Sequence, residues 1–256
     1  MDVAAYPVWD TTGALRCLLR ELCKLLQAED ATWLAISKQA QLPRDIPPDL
    51  YGAIFTEMDG WTPTAAEYLK PGTDFKRMVE RWLMHARKEG LDPMTRVLLG
   101  GAGECSRALN RHDAATEEEW REHWISQKFL HFYGVGERLI AITPLDETRE
   151  ACIVIDRPKD APPFTARERD FLHLALTSMP YIHRRLFLER GLIHATSRLS
   201  RRERDTYLLL LTELSESEIA DKMCLSTHTV HDYGRKLYKK FNVKGRIGLM
   251  ALVLEG

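Results

Sequence analysis

Residues 199–246 read LSRRERDTYLLLLTELSESEIADKMCLSTHTVHDYGRKLYKKFNVKGR, and this stretch decides the fold of the C-terminal region. Ser200 followed three positions later by Glu203 is a capping box, which predicts the start of a helix. The run 215–218 caps a second short helix, and Ser226 caps a third helix after a three-residue turn. Two helices, a tight turn and a following basic helix predict a helix-turn-helix.

The third helix, from Thr227 to about Asn242, has one apolar and one polar face. At 100° per residue, four positions fall within about 60° of each other and form a buried stripe: Val230, Gly234, Leu237 and Phe241. The opposite face is mostly basic and consists of His228, Asp232, Arg235, Lys236 and Lys239. His231 lies on the flank of this face. A fourth helix is predicted over residues 246–254.

The polar face of the third helix suits double-stranded DNA, because a helix of this diameter fits the major groove of B-DNA. Arg235 is the strongest candidate for direct readout, since a guanidinium can donate to guanine O6 and N7 together. The predicted base contacts are His228, His231, Asp232 and Arg235. The predicted phosphate contacts are Thr227, Thr229, Lys222, Lys236, Lys239, Lys240, Lys244 and Arg246.

An unbroken series of spaced residues carries a family resemblance: Leu199-Ser-Arg-Arg-Glu203, Glu218-Ile-Ala220, Leu225-Ser226, Thr229-Val230, Lys240-Phe-Asn-Val243, Arg246 and Leu249. On these residues, the segment 199–254 resembles the C-terminal DNA-binding domain of LuxR-type (GerE-type) transcriptional regulators. The resemblance implies base contacts at His231 and Arg235 and a dimer contact in the segment 247–254. We therefore expect a homodimer on DNA, because two-fold pairing doubles the length of the site that is read.

Some positions depart from the family pattern. Glu213 stands where a helix-ending Gly is usual, and Cys224 stands where the turn usually has Gly. Gly234 replaces an aliphatic residue within the third helix, at a cost of roughly 1 kcal/mol in helix propensity. Asp232 either repels phosphate or accepts a hydrogen bond from cytosine. These positions bear on affinity and sequence preference rather than on the fold.

Charge is distributed unevenly along the 256 residues, although the net charge is only −1. Residues 1–197 carry 25 basic and 29 acidic side chains, whereas residues 198–256 carry 11 basic and 8 acidic ones. The basic end is where an anionic partner is expected. The N-terminus lacks a secretory signal pattern, and the apolar runs are too short to span a membrane. Five cysteines without a C-x-x-C pair predict free thiols in a reducing cytoplasm.

The region before the helix-turn-helix mixes helices with a few strands. Helices are predicted over 14–28, over 74–89, from a Thr116 capping box through Trp120 and Trp124, and over 166–188 after a second box at Thr165. A strand is predicted over 31–36, and strands over 139–142 and 152–155 form an antiparallel pair. The segment 42–48 is a proline-marked loop.

This mixture predicts an α+β domain rather than a doubly wound sheet. Trp82 through Asp92-Pro93, then Arg107, Trp120 and the segment 164–171, loosely resemble GAF/PAS-like input domains, which implies a GAF/PAS-like sandwich. The predicted domains are a sensor or regulatory domain over 1–188 and a helix-turn-helix domain over 199–256. Residues 189–198, with weak periodicity, are predicted to link the two.

An aromatic-rich α+β domain ahead of a helix-turn-helix is a reasonable small-molecule sensor. The candidate pocket residues are Trp61, Trp82, Trp120 and Trp124. Quorum-sensing LuxR-type members carry Trp, Tyr and Asp-Pro at a wider spacing, so an acyl-homoserine lactone is not assigned. The histidines lack metal-ligand spacing and no Gly-rich phosphate loop precedes a Lys-Ser/Thr pair. We therefore assign no catalytic residue, metal or cofactor.

These features predict a cytoplasmic DNA-binding transcriptional regulator whose first domain senses a small molecule or a partner and controls the helix-turn-helix. The first alternative is an interaction protein that no longer binds DNA and sequesters a related regulator in heterodimers. The second alternative is a small-molecule-processing enzyme tethered to DNA.

Overall fold

The computed structural model of the chain describes residues 10–39, 54–70 and 74–254. The predicted loop over 42–48 lies outside these ranges. The chain divides into two compact units, one of Met1–Leu15 with Pro180–Gly256 and one of Arg16–Met179. Helix α1 covers Thr11–Leu25, close to the prediction, and buries Leu15, Leu18, Leu19 and Leu22.

The unit Arg16–Met179 is built on a five-stranded antiparallel sheet in the order β2-β1-β5-β4-β3. The strands are β1 (Asp30–Lys38), β2 (Trp61–Tyr68), β3 (Arg107–Asn110), β4 (Val135–Asp146) and β5 (Arg149–Pro158). Leu139 pairs with Ile155 and Ile142 with Cys152, so the predicted antiparallel pair is confirmed. The predicted α+β class is likewise confirmed, while the GAF/PAS-like resemblance stays a prediction.

The two faces of the sheet are covered by different helices, because successive side chains of a strand point to opposite faces. The first face carries fully buried residues, among them Trp33, Ala35, Ala141 and Ile153. Helix α6 (Ala166–Thr177) packs on β3 and β4. The second face carries Leu34, Ile140, Ile142, Cys152 and Val154, which belong to a second apolar cluster.

The second cluster is completed by a helical turn at residues 54–57, before β2, and by helices that follow β2: α2 (Phe75–Glu89), α3 (Pro93–Leu99), α4 (Arg111–Ala114) and α5 (Glu117–Glu122). The capping box of Thr116 and Glu119 is confirmed. The prediction that this helix continues through Trp124 is wrong. His123 has extended backbone angles that end α5, and a π-helical turn over Ile125–Leu130 follows.

The predicted continuous helix over 166–188 is also wrong. Helix α6 begins at the confirmed capping box of Thr165 but ends at Thr177, and α7 (Pro180–Leu188) begins after a break. Pro180 causes the break, because its ring clashes with the carbonyl four residues earlier and it disfavours a helical Met179.

The C-terminal helices are α8 (Arg201–Leu210), α9 (Glu216–Met223), α10 (Thr227–Lys240) and α11 (Arg246–Leu254). Ser200, Ser215 and Ser226 cap the first three of them, as predicted. Their shared core contains stacked rings of Tyr207 and Phe241, with centroids 5.4 Å apart. Among the described residues, no helix is both long and apolar enough to cross a membrane.

Candidate functional site

The turn between α9 and α10 sets the exposure of α10. Cys224 ends α9 with left-handed backbone angles (φ 53°, ψ 49°), and the Leu225 N–H donates to the Ala220 carbonyl at 2.9 Å. Ser226 then accepts from the Thr229 N–H at 3.1 Å. The predicted stripe Val230, Gly234, Leu237 and Phe241 is buried, so the opposite face of α10 points away from this core.

The exposed face of α10 brings together most of the predicted base contacts. His228, His231 and Arg235 are exposed and Asp232 is half-buried. His231 Nδ1 lies 3.2 Å from Glu216 Oε2, so a carboxylate of α9 orients this ring. His228 Nε2 lies 3.6 Å from Asp232 Oδ2, and this pair is adjacent on the helix surface.

Of the predicted phosphate contacts, Lys222, Thr227, Lys236, Lys239 and Lys244 are exposed, and Thr229 is half-buried beside the cap. The two remaining predicted phosphate contacts, Lys240 and Arg246, donate hydrogen bonds to acceptors within the same unit. Lys240 Nζ donates to the Arg198 carbonyl and to Glu203 Oε2, both at 2.9 Å.

Arg246 ties the start of α11 to the end of α8. Its Nε and Nη1 donate to the carbonyls of Leu210 and Leu214, each at 2.7 Å, and its Nη2 donates to Thr212. A cation that satisfies the last carbonyls of a helix is a common C-terminal device. The sequence shows that the carbonyls at the end of α8 need hydrogen-bond donors. It does not show that Arg246 is the donor, because Thr212 and Leu214 lie more than thirty residues before it.

A cavity of about 320 Å³ lies within the unit Arg16–Met179, between the second face of the sheet and helices α2 and α3. That volume is at the lower end of the range typical of small-molecule sites. Of the four predicted pocket residues, Trp61 and Trp82 line it, while Trp120 and Trp124 pack into the adjoining apolar cluster. Trp82 and Trp124 meet edge to face at 6.2 Å.

Polar partners fix both of these tryptophans. Trp82 Nε1 donates to Asp92 Oδ2 at 3.1 Å, and Trp124 Nε1 donates to the Gly90 carbonyl at 3.1 Å. Cys152 lines the cavity as well, and burial raises the pKa of its thiol to about 12, so it is protonated at neutral pH. Its thiol therefore contributes an apolar wall rather than a nucleophile.

Charged residues of the strands also line the cavity, and they were not predicted as pocket residues from the sequence: Asp30, Arg107, Arg138, Glu150, Asp156 and Arg157. The signal was present in β4 and β5, where Arg138 and Asp156 share the periodicity of apolar neighbours such as Ile140 and Val154. A charged side chain at such a position indicates either an ion pair or a ligand contact.

The model of the family described as bacterial regulatory proteins, luxR family, matches residues 197–253. Residues 197–253 belong to the luxR family. The resemblance found on the sequence motifs is thereby confirmed for this domain. Within the luxR domain, the unusual Gly234 faces the Tyr238 ring, and a Cβ added there would lie 3.6 Å or more from its atoms.

The chain is similar to several solved structures. A structure titled "SdiA in complex with octanoyl-rac-glycerol" has a TM-score of 0.45 and 11% identity, covering 97% of this chain and 88% of that chain. Escherichia coli SdiA has a TM-score of 0.43 and 12% identity, covering 98% and 91%. The VqsR LBD domain from Pseudomonas aeruginosa has a TM-score of 0.44 and 12% identity, covering 69% and 93%. No curated protein matches the chain.

Proposed function

We propose that this protein is a ligand-responsive transcriptional regulator that binds double-stranded DNA through its luxR domain. The observation that carries the proposal is the exposed, mostly basic face of α10 within a domain that matches the luxR family over residues 197–253. In this proposal α10 enters the major groove, where its N-terminal half meets base edges. Two copies of the chain bind as a homodimer on paired half-sites.

Base contacts are assigned to Arg235 and His231, with His228 and Asp232 beside them on the same face. Arg235 supports this assignment best, because it is exposed and its guanidinium can donate to both guanine acceptors. Phosphate contacts are assigned to the exposed or cap-forming residues Lys222, Thr227, Thr229, Lys236, Lys239 and Lys244. Lys240 and Arg246 are not assigned phosphate contacts, because both donate hydrogen bonds to acceptors within the luxR domain.

The unit Arg16–Met179 is assigned the sensing role. Its cavity has the size and the largely apolar walls of a small-molecule site, and two tryptophans line it. Occupation of the cavity is proposed to change the affinity of the luxR domains for DNA. Trp61 and Trp82 therefore become the pocket residues of the proposal, while Trp120 and Trp124 support the wall behind them.

The proposal is tested by selecting bound duplexes from genomic fragments and measuring their affinity by fluorescence anisotropy at several salt concentrations. We expect log K to fall with log salt by about 0.9 for each phosphate that is neutralised. Arg235→Ala should remove about 1–3 kcal/mol of discrimination at one guanine position. Arg201→Ala is the matched control, because it deletes the same charge from an exposed position on α8.

Two results count against the proposal. Absence of any preferred duplex at low salt, with heterodimers of a related regulator formed instead, would support the sequestering alternative. Equal losses in Arg235→Ala and Arg201→Ala would show that α10 is not the reading helix.

A further inference from the structure

Two glutamates lie in the first turn of α9, and they have different partners. Glu218 belongs to the capping box of this helix and accepts from the Ser215 N–H and hydroxyl at 2.8 and 2.7 Å. Glu216 takes no part in the cap. Its two carboxylate oxygens lie 3.2 and 3.4 Å from Nδ1 of His231, which is fifteen residues further along the chain on α10. Glu216 therefore contacts the helix to which the base contacts are assigned.

The pair of Glu216 and His231 leaves one ring nitrogen free. Among the described residues, neither side chain has another hydrogen-bond partner, so Nε2, the distal nitrogen of His231, is unoccupied. The His231 side chain is 55% exposed, which makes Nε2 accessible to a molecule outside the domain. Glu216 also lies at the N-terminus of α9, where the helix dipole favours a negative charge.

The carboxylate decides which nitrogen of the neutral ring carries the proton. An ionised carboxylate only accepts hydrogen bonds, so His231 Nδ1 must be the donor at 3.2 Å. A neutral imidazole has one N–H and one bare nitrogen. With the proton held on Nδ1, Nε2 keeps its lone pair and is an acceptor. The hydrogen bond of one ring nitrogen thus sets the chemistry of the other, as it does for histidines that bind metals.

His228, the other histidine of α10, has no such constraint. Its Nε2 lies 3.6 Å from Asp232 Oδ2, which is beyond hydrogen-bond distance, and its side chain is 85% exposed. Both tautomers therefore remain available to His228. Of the two histidines on α10, only His231 has a carboxylate from a second helix to fix its tautomer.

An acceptor in the major groove recognises only some base edges. Adenine and cytosine present exocyclic amino groups there, at N6 and N4, whereas guanine presents O6 and N7 and thymine presents O4. A bare Nε2 can accept from either amino group, but its lone pair is repelled by the oxygen of guanine or thymine. Arg235, one turn later on α10, has only donors and so suits guanine. The two neighbouring side chains thus recognise opposite hydrogen-bonding patterns.

We propose that Glu216 is a positioning residue that holds the proton of His231 on Nδ1, so that Nε2 accepts a hydrogen bond from the amino group of adenine or cytosine. This inference rests on the DNA-binding function proposed above and assigns one position of the DNA site to a class of base. Glu216 itself does not touch the DNA, since its effect passes through the His231 ring.

The tautomer is measured without DNA. Long-range ¹H–¹⁵N correlation spectra of the histidine rings in the full chain distinguish a protonated from a bare nitrogen, and His231→Gln assigns the signals of His231 by their absence. A pH of 8.5 keeps imidazole neutral, being about two units above its ordinary pKa. We expect a protonated Nδ1 and a bare Nε2 in the native chain. In Glu216→Ala, the ring nitrogens should shift toward the other tautomer.

The base preference is measured at the same pH by anisotropy titrations of duplexes that carry single base-pair changes in the selected site. We expect one position at which adenine or cytosine binds about three- to tenfold more tightly than guanine or thymine, the usual scale of one hydrogen bond. His231→Ala identifies this position by removing the preference. Glu216→Ala should reduce the preference below about twofold. It should leave the guanine preference assigned to Arg235 unchanged.

Glu213→Ala is the matched control, because it deletes the same charge from an exposed position before α9. Loss of an acid raises overall affinity for DNA in both variants, but only Glu216→Ala should change the preference at the His231 position. Urea denaturation of each variant checks that it is folded.

A proton on Nε2 in the native chain would overturn the inference. So would a preference for guanine or thymine at the His231 position, or a preference that persists in Glu216→Ala. A chain that binds a preferred duplex without favouring an amino group contradicts this inference alone. A chain that prefers no duplex contradicts the proposed function and this base contact together, and the ring spectra still decide whether Glu216 fixes the tautomer.

Discussion

Lys240 Nζ lies 2.9 Å from Glu203 Oε2 and joins the last turn of α10 to the first turn of α8. Glu203 also accepts from the Ser200 N–H at 2.8 Å, so one carboxylate serves a helix cap and a contact between helices. The Lys240 and Glu203 side chains are only 22% and 10% exposed. A lysine in the basic stretch of α10 is therefore part of the packing of the luxR domain.

Lys240→Met and Lys239→Met are expected to behave differently, although they delete neighbouring charges. Lys240→Met should lower the free energy of unfolding by about 1–2 kcal/mol, because the charged hydrogen bond is lost. Lys239 is exposed, so Lys239→Met should leave stability unchanged and reduce the salt slope of DNA binding by about 0.9. Urea denaturation and anisotropy titrations separate the two, and a reversed pattern would contradict the assignment.

The contact between Lys240 and Glu203 makes the stability of the luxR domain depend on pH. Burial would raise the pKa of Glu203, but hydrogen bonds from Lys240 and Ser200 hold it below its ordinary value. A carboxyl group whose pKa is lowered by folding stabilises the folded state above its unfolded pKa, and this contribution is lost as pH falls. Glu203→Gln should therefore lower stability near pH 7 and flatten the loss of stability between about pH 5 and 3. Equal acid sensitivity in both proteins would rule this out.

Signals confined to a few residues predicted the fold well. The capping boxes at Thr116, Thr165 and Ser200 are contained in four residues each, so they start helices whatever lies elsewhere. A capping box predicts one helix over 166–188, but Pro180 stands inside this range, and a proline within a helical pattern ends or kinks the helix at the preceding residue.

Contacts between distant elements could not be predicted in the same way. Arg246 belongs to a basic stretch, and its carbonyl partners on the far side of the helix-turn-helix become visible only when α8 and α11 pack together. Arg138 could be placed on the face of Ile140, but its pairing with Asp156 depends on the strand register. Trp120 and Trp124 were predicted to line a pocket but lie in the apolar core. The sequence does not separate the two roles, because ligand pockets and cores both contain buried aromatic rings.

Replacing Cys224, whose backbone is in the left-handed region, by glycine should raise the stability of the luxR domain. Its φ of 53° is costly for a side chain with a Cβ, and glycine removes that cost. Cys224→Gly is expected to raise the free energy of unfolding by about 0.5–1 kcal/mol after allowing for the greater entropy of unfolded glycine. Cys224→Ala is the control, because it deletes the thiol and keeps the Cβ. Equal gains in both variants would assign the effect to the thiol rather than to the backbone.

Asp92 is expected to stabilise the unit Arg16–Met179 by several hydrogen bonds. Asp92→Ala removes the cap of α3, worth about 1 kcal/mol, and leaves the Trp82 indole N–H without its acceptor, worth about 1–3 kcal/mol. We expect a total loss near 2–4 kcal/mol in urea denaturation. Trp82→Phe deletes the indole donor, so Asp92→Ala should cost less in that background. A double-mutant cycle isolates this coupling, and strictly additive losses would show that the 3.1 Å contact contributes nothing.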